Sequence, residues 1–170
     1  EKSSGTFETL MTTPVSDLQV VLAKFIGSYL FFLIAFLPTL LYPFIVKQYA
    51  HEAVAIDIGS VFSLGLGVGL FGAFFTAMGC FASSLTRSQI VAAVLTFAAG
   101  TSLFILGYIA DLRPSEMMWW HTSLQHVSML RHMQDFSTGI IDSRHIVYYV
   151  SLTTVFLFAT VKSIESRRWK

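Results

Sequence analysis

Ionised side chains leave long apolar runs between them: none falls from Phe25 to Val46, from Ile58 to Thr86 or from Ser88 to Ala110, and a shorter run covers Ile146 to Val161. A helix needs about 20 mainly apolar residues, each rising ~1.5 Å, to cross a hydrocarbon core of ~30 Å. The first three runs reach that length, and the fourth approaches it with uncharged shoulders. The pattern therefore predicts four membrane-spanning helices, over 18–46, 58–82, 90–110 and 145–164. The polar residues Ser83 to Gln89 would make a tight turn between the second and third. Two shorter stretches show helical periodicity without the length to span. Phe7, Leu10 and Met11 recur at i, i+3 and i+4 and predict an amphipathic helix over 1–13. Over 124–141, His126, Met129 and Met133 would share one face with Leu130, Phe136 and Ile140. The fold class is an all-α integral membrane protein, with four transmembrane helices, an amphipathic entry helix and a short external helix, re-entrant or interfacial.

Local chemistry refines the ends of these elements. Proline disfavours the helical region for the residue before it and suits a first turn, so Thr13-Pro14 stops the entry helix and caps the first span. Asp17 then complements the helix dipole. Pro38 and Pro43 should kink the far half of that span. Lys24 sits near its start, where a long stem can carry its ammonium to the interface. With an even number of spans both ends lie on one side. Seven of the 11 lysines and arginines fall there (Lys2, Lys24, Arg87, Lys162, Arg167, Arg168 and Lys170), leaving Lys47, Arg113, Arg131 and Arg144 on the other side. The bias places both ends of the chain in the cytoplasm and all five histidines outside.

Composition narrows the function. Only 12% of the 170 residues are charged and 54% are hydrophobic, against ~25% charged in a typical soluble domain. A net charge of +1 supplies no basic stripe of the kind nucleic acid requires, so no nucleic-acid partner is expected. The single cysteine, Cys80, excludes an intrachain disulfide and a cysteine-rich metal site. No phosphate-loop, His-Glu-x-x-His or Gly-x-Ser-x-Gly string is present, so the chain is not expected to be an enzyme, and no catalytic residue is assigned. Gly67-x-Gly69-x-x-Gly72 matches a dinucleotide fingerprint as a string but lies inside an apolar run with no strand before it. Its glycines fit better the small-residue spacing that lets membrane helices approach closely. Gly65, Gly69, Gly72 and Ala73 are the candidate helix-packing positions.

The external segment mixes Met117, Met118, Met129 and Met133 with His121, His126 and His132. Thioether and imidazole suit cuprous ion, which makes His126, Met129 and Met133 a candidate copper set. Methionine as adaptable filler, with Trp119 and Trp120 as interfacial anchors, is the alternative, under which the chain holds no metal. His132, Asp135, Asp142 and His145 read as solvated loop residues. Tyr148, Tyr149 and Trp169 read as aromatic-belt residues, and Arg167, Arg168 and Lys170 would meet anionic lipid headgroups.

Three strings go further. EKSSGTFETLMTTPVSD at 1–17 with VLAKF at 21–25, FASSLTRSQI at 81–90, and HIVYYVSLTTVFLF at 145–158 closed by ESRRW resemble, in that order, permease subunits of the ABC type-2 exporter family. The likeness to the coupling segment, to the turn between the fourth and fifth spans and to the last span and tail extends to the branch of gliding-associated and copper-maturation permeases. It implies a subunit of the bacterial inner membrane that works as a dimer with a second permease copy or homologue. It also implies a separate ATPase subunit that holds ATP and magnesium, with no cofactor on this chain. The chain opens on Glu1, and the family pattern leads us to expect two further spans before it. By the same resemblance, Gly5, Thr6, Phe7, Glu8, Leu10 and Pro14 would form the contact with the ATPase, and the short external helix would be one of the family's re-entrant helices. The alternative function is a non-transporting membrane assembly or interaction protein of an envelope or motility complex, built on the glycine-rich second span.

Overall fold

The computed structural model describes residues 16–49, 57–112 and 128–168. The entry segment 1–13, the loop from Arg113 to Val127 and Trp169 lie outside the described residues. Among the described residues there is no strand. The chain runs α1 (Asp17–Phe36), a 3-10 stretch (Leu37–Leu41), α2 (Tyr42–Tyr49), α3 (Ile58–Leu85), α4 (Gln89–Leu112), α5 (Met129–Ser137) and α6 (Ser143–Arg168). Among the described residues, four stretches are long and apolar enough to cross a membrane: Asp17–Tyr49, Ile58–Leu85, Gln89–Ile109 and Ser143–Ser166.

Capping sets two of the starts. Ser16, not Thr13, caps α1: its hydroxyl accepts from the Gln19 amide at 3.4 Å while the Gln19 side chain accepts from the Ser16 amide at 3.1 Å. This reciprocal pair satisfies two orphan donors at once, which a threonine ahead of Pro14 could not do for a helix beginning at Asp17. Asp57 caps α3, taking the amides of Gly59 (3.0 Å) and Ser60 (3.2 Å) and the Ser60 hydroxyl (2.6 Å). The Ser60 hydroxyl, then the two amides, hold the Asp57 carboxyl below the usual carboxylate range.

The prolines do more than kink the first span. Pro38 has no N–H for the carbonyl four residues back, and the chain tightens into the 3-10 stretch Leu37–Leu41 before α2 resumes with Pro43 in its first turn. The turn between α3 and α4 is also shorter than Ser83 to Gln89. Helix continues to Leu85, and Ser88 restarts it by accepting the Ala92 amide on its carbonyl at 3.1 Å.

α3 is the hub, packed against α1, α4, α5 and α6. Its Phe71, Phe74 and Phe81 meet Tyr149 and Phe156 of α6 in tilted and edge-on ring pairs 5.7–6.4 Å apart. Phe74, Met78, Met129, Phe136 and Tyr149 form the buried core. Outward, α1, α4 and α6 expose large apolar side chains such as Phe31, Phe97 and Phe158, the surface expected of helices solvated by lipid tails rather than water.

Candidate functional site

Three places in the bundle bring together residues of potential function. The first is the seam between α1 and α3. Gly65 faces Leu40, Gly69 faces Tyr29 and Leu33, and the Phe32 ring occupies the space a side chain on Gly72 would need. Without a Cβ to cover it, the Gly69 carbonyl accepts a hydrogen bond from the Tyr29 hydroxyl at 3.1 Å, an interhelical bond of the kind that holds membrane helices in register. Gly69 and Gly72 thus receive α1 and Gly65 the 3-10 stretch that follows it, while Ala73 is half-buried on the same helix. Gly67, between them, faces a different element: a Cβ built there would lie 2.5 Å from the Phe136 ring of α5.

The second place is the end of the bundle where α1 begins, α3 turns into α4 and α6 ends. A cavity of about 770 Å³ opens there. Lys24 lines it from α1 and Arg87 from the turn, with Cys80 on α3 and Thr160 on α6. Several lining hydroxyls direct their protons into backbone: Ser28 donates to the Lys24 carbonyl at 2.8 Å, Thr76 to Gly72 at 2.7 Å and Thr160 to Phe156 at 2.7 Å. Their oxygens keep lone pairs free to accept. Charge spacing alone placed Lys24 at an interface; that it shares a cavity with Arg87 depends on how α1 and α3 cross.

The third place is the opposite end, where α5 docks. Met129, His132 and Phe136 are buried at i, i+3 and i+7. The helix stops at Ser137, short of Ile141, because Gly139 takes φ +84°, a conformation glycine adopts without strain. Ile140 is exposed and does not join the buried face. The four polar residues expected in a solvated loop are instead partly gathered. The His145 ring nitrogen Nε2 lies 2.8 Å from Asp135 Oδ2, and the His132 ring, 3% exposed, lies tilted by 37° against that of His145 with ring centroids 4.1 Å apart. Asp142 takes a local role, accepting the Arg144 amide at 2.8 Å. Tyr149, expected in an interfacial belt, is fully buried against Phe71, Phe74 and His132. α5 folding back into the bundle creates this site, which no local spacing announces.

Two of the three members of the candidate copper set fall among the described residues. Met129 belongs to the apolar core, Met133 packs against it, and His126 lies outside the described residues. No group of three His, Cys, Asp or Glu side chains among the described residues is placed to hold a metal ion. The expected coupling contact, Gly5, Thr6, Phe7, Glu8, Leu10 and Pro14, also lies outside the described residues.

With three spanning helices around a fourth, the glycine-lined hub α3, comparison with known families decides what the bundle is. The model of a family described as ABC-2 family transporter protein matches residues 1–161. The chain belongs to the ABC-2 transporter family. Comparison with curated proteins and with solved structures gives no match. As an ABC-2 family member with four spanning helices, it is a multi-pass membrane protein and a membrane permease component of an ABC transporter. The match takes in the entry segment, the α1–α3 seam and the docked α5 together.

Proposed function

We propose that this permease is the membrane half of an ATP-driven exporter in the bacterial inner membrane, with both ends of the chain in the cytoplasm. ATP and magnesium act in a separate ATPase subunit, and two permease copies or homologues enclose the path. The family match over 1–161 carries this reading, because it joins the entry segment to three spans and most of the fourth in one unit. The described bundle supplies a physical route for the stroke. A force applied before Ser16 enters α1 through a doubly bonded cap. α1 is keyed into α3 by Phe32 over Gly72 and by the Tyr29 hydroxyl on the Gly69 carbonyl. α3 packs in turn on every other span, so motion of α1 is passed to the hub rather than absorbed by it. In the entry segment, Phe7 and Leu10 would fill a groove on the ATPase, Glu8 would pair with a basic residue or accept hydrogen bonds, and Pro14 would fix the elbow.

The test is the full-length permease with its ATPase in proteoliposomes. Glu8→Ala combined with Pro14→Gly should leave membrane insertion intact. The permease-stimulated part of ATP hydrolysis should fall about tenfold, within the range that a coupling free energy of ~1–3 kcal/mol produces. Stimulation equal to wild type would remove the entry segment from the coupling path.

A further inference from the structure

The cavity between α1, α3 and the α3–α4 turn has a chemistry that the coupling reading does not use. Lys24 and Arg87 converge on it from separate elements, and no carboxylate is among its described lining residues. Two cationic residues lining one space favour a phosphate, to which an ammonium can donate beside a bond it already makes. Ser28, Thr76 and Thr160 have committed their protons to carbonyls. They therefore present acceptors, which suit a ligand carrying O–H or N–H donors beside its phosphate. The cavity also has room: a Cβ on Gly27, one of its lining residues, meets nothing within 4 Å.

The neighbouring surface of α1 indicates where the rest of such a ligand lies. Ile26, Leu30 and Ile34 follow one another at four-residue intervals and are 50%, 51% and 66% exposed. By helical periodicity this stripe borders the Ala23–Gly27 edge of the cavity. A soluble phosphate would have no use for it, whereas acyl chains would.

We propose that the Lys24–Arg87 cavity binds the phosphodiester headgroup of a membrane phospholipid whose headgroup carries hydrogen-bond donors, such as phosphoglycerol, with its acyl chains along Ile26, Leu30 and Ile34. The site belongs to the permease bundle alone and does not depend on the ATPase contact. It is distinct from the general attraction of a basic tail for an anionic leaflet, because Lys24 and Arg87 line one cavity with the uncharged Gly27.

The experiment uses the delipidated full-length protein in detergent, titrated with short-chain phosphatidylglycerol and phosphatidylcholine and, separately, with glycerol phosphate and inorganic phosphate. Native mass spectrometry counts bound lipid. Phosphatidylglycerol should bind stoichiometrically and at least about tenfold tighter than phosphatidylcholine, a gap of ~1.4 kcal/mol. Gly27→Leu, which adds side-chain atoms at a lining position where a Cβ meets nothing within 4 Å, and Arg87→Gln should each weaken it by about the same factor, with melting temperature unchanged. Lys162→Gln removes a positive charge that does not line the cavity and pairs with Glu165 at 2.6 Å; it should change binding less than about twofold, ~0.4 kcal/mol. Unaltered binding in Gly27→Leu, or equal loss in Lys162→Gln, would reduce the effect to surface charge and overturn the site. Binding of glycerol phosphate or inorganic phosphate as tight as that of the lipid would overturn the lipid assignment.

Discussion

Replacing Phe136 with alanine is expected to destabilise the permease by about 3 kcal/mol and to release α5 from the bundle. Phe136 has no exposed surface. Its ring and Cβ lie within 2.5–3.0 Å of where a side chain on Gly67 would begin, so the glycine is a socket and the phenylalanine its plug. Truncating a buried phenylalanine costs ~3–5 kcal/mol, including the cavity left behind. The lower end applies here because lipid-facing helices gain little from the hydrophobic effect and are held by packing. α5 has few other anchors of this size: Met129 and His132 share its buried face, and Ser128 rests against Gly107 of α4. Loss of Phe136 should therefore also expose His132 and the His145–Asp135 pair. Denaturant titration of the full-length protein in mild detergent gives the stability, and hydrogen exchange over 128–137 gives the undocking. A loss under about 1 kcal/mol, with exchange unchanged, would mean that the backbone of α5, not this plug, holds the helix in place.

Gly72→Val should cost about 2 kcal/mol, the usual range for forcing extra atoms into a packed contact being ~1–3 kcal/mol. The Phe32 ring stands where the valine Cβ must go, and Phe32 is stacked on Phe36 one turn further along α1. It can move only by shifting that stack or by pushing α1 away from α3. Displacing α1 would also stretch the 3.1 Å bond from the Tyr29 hydroxyl to the Gly69 carbonyl, so the seam should fail as a unit. The distinguishing result is a double-mutant cycle. Phe32→Ala in the Gly72→Val background should recover at least about 1 kcal/mol, since residues in direct contact show coupling of ~0.5–3 kcal/mol. Additive losses would show that the valine acts through α3 itself and that the seam is not a contact between these two residues.

The four spans are legible in the sequence because lipid demands long stretches without charge, and the gaps between ionised residues record that demand directly. That glycines on α3 serve packing is legible too, since small residues four apart have few other uses in an apolar helix. Their partners are not. Gly69 and Gly72 turn to α1 and Gly65 to the 3-10 stretch after it, while Gly67, in the same string, turns to α5, and only the tertiary arrangement assigns them. Local rules misplaced details where two of them competed. At the start of α1, Thr13-Pro14 looks like a better cap than Ser16, but the Gln19 side chain makes Ser16 the reciprocal partner. Two prolines close together converted an expected kink into a 3-10 stretch. The His132–His145–Asp135 cluster escaped notice because polarity suggested solvent, while the burying face of α5 depends on its fold back against Gly67. The cavity shared by Lys24 and Arg87 was hidden for the same reason: its two charges stand far apart in sequence.

The most direct test of the transporter reading is co-purification of the full-length permease from membranes in mild detergent. The account predicts an ATPase subunit at stoichiometric yield, lost when residues 5–14 are scrambled while the spans still insert. A permease that purifies without any ATPase, or one that keeps its ATPase after scrambling, would contradict it.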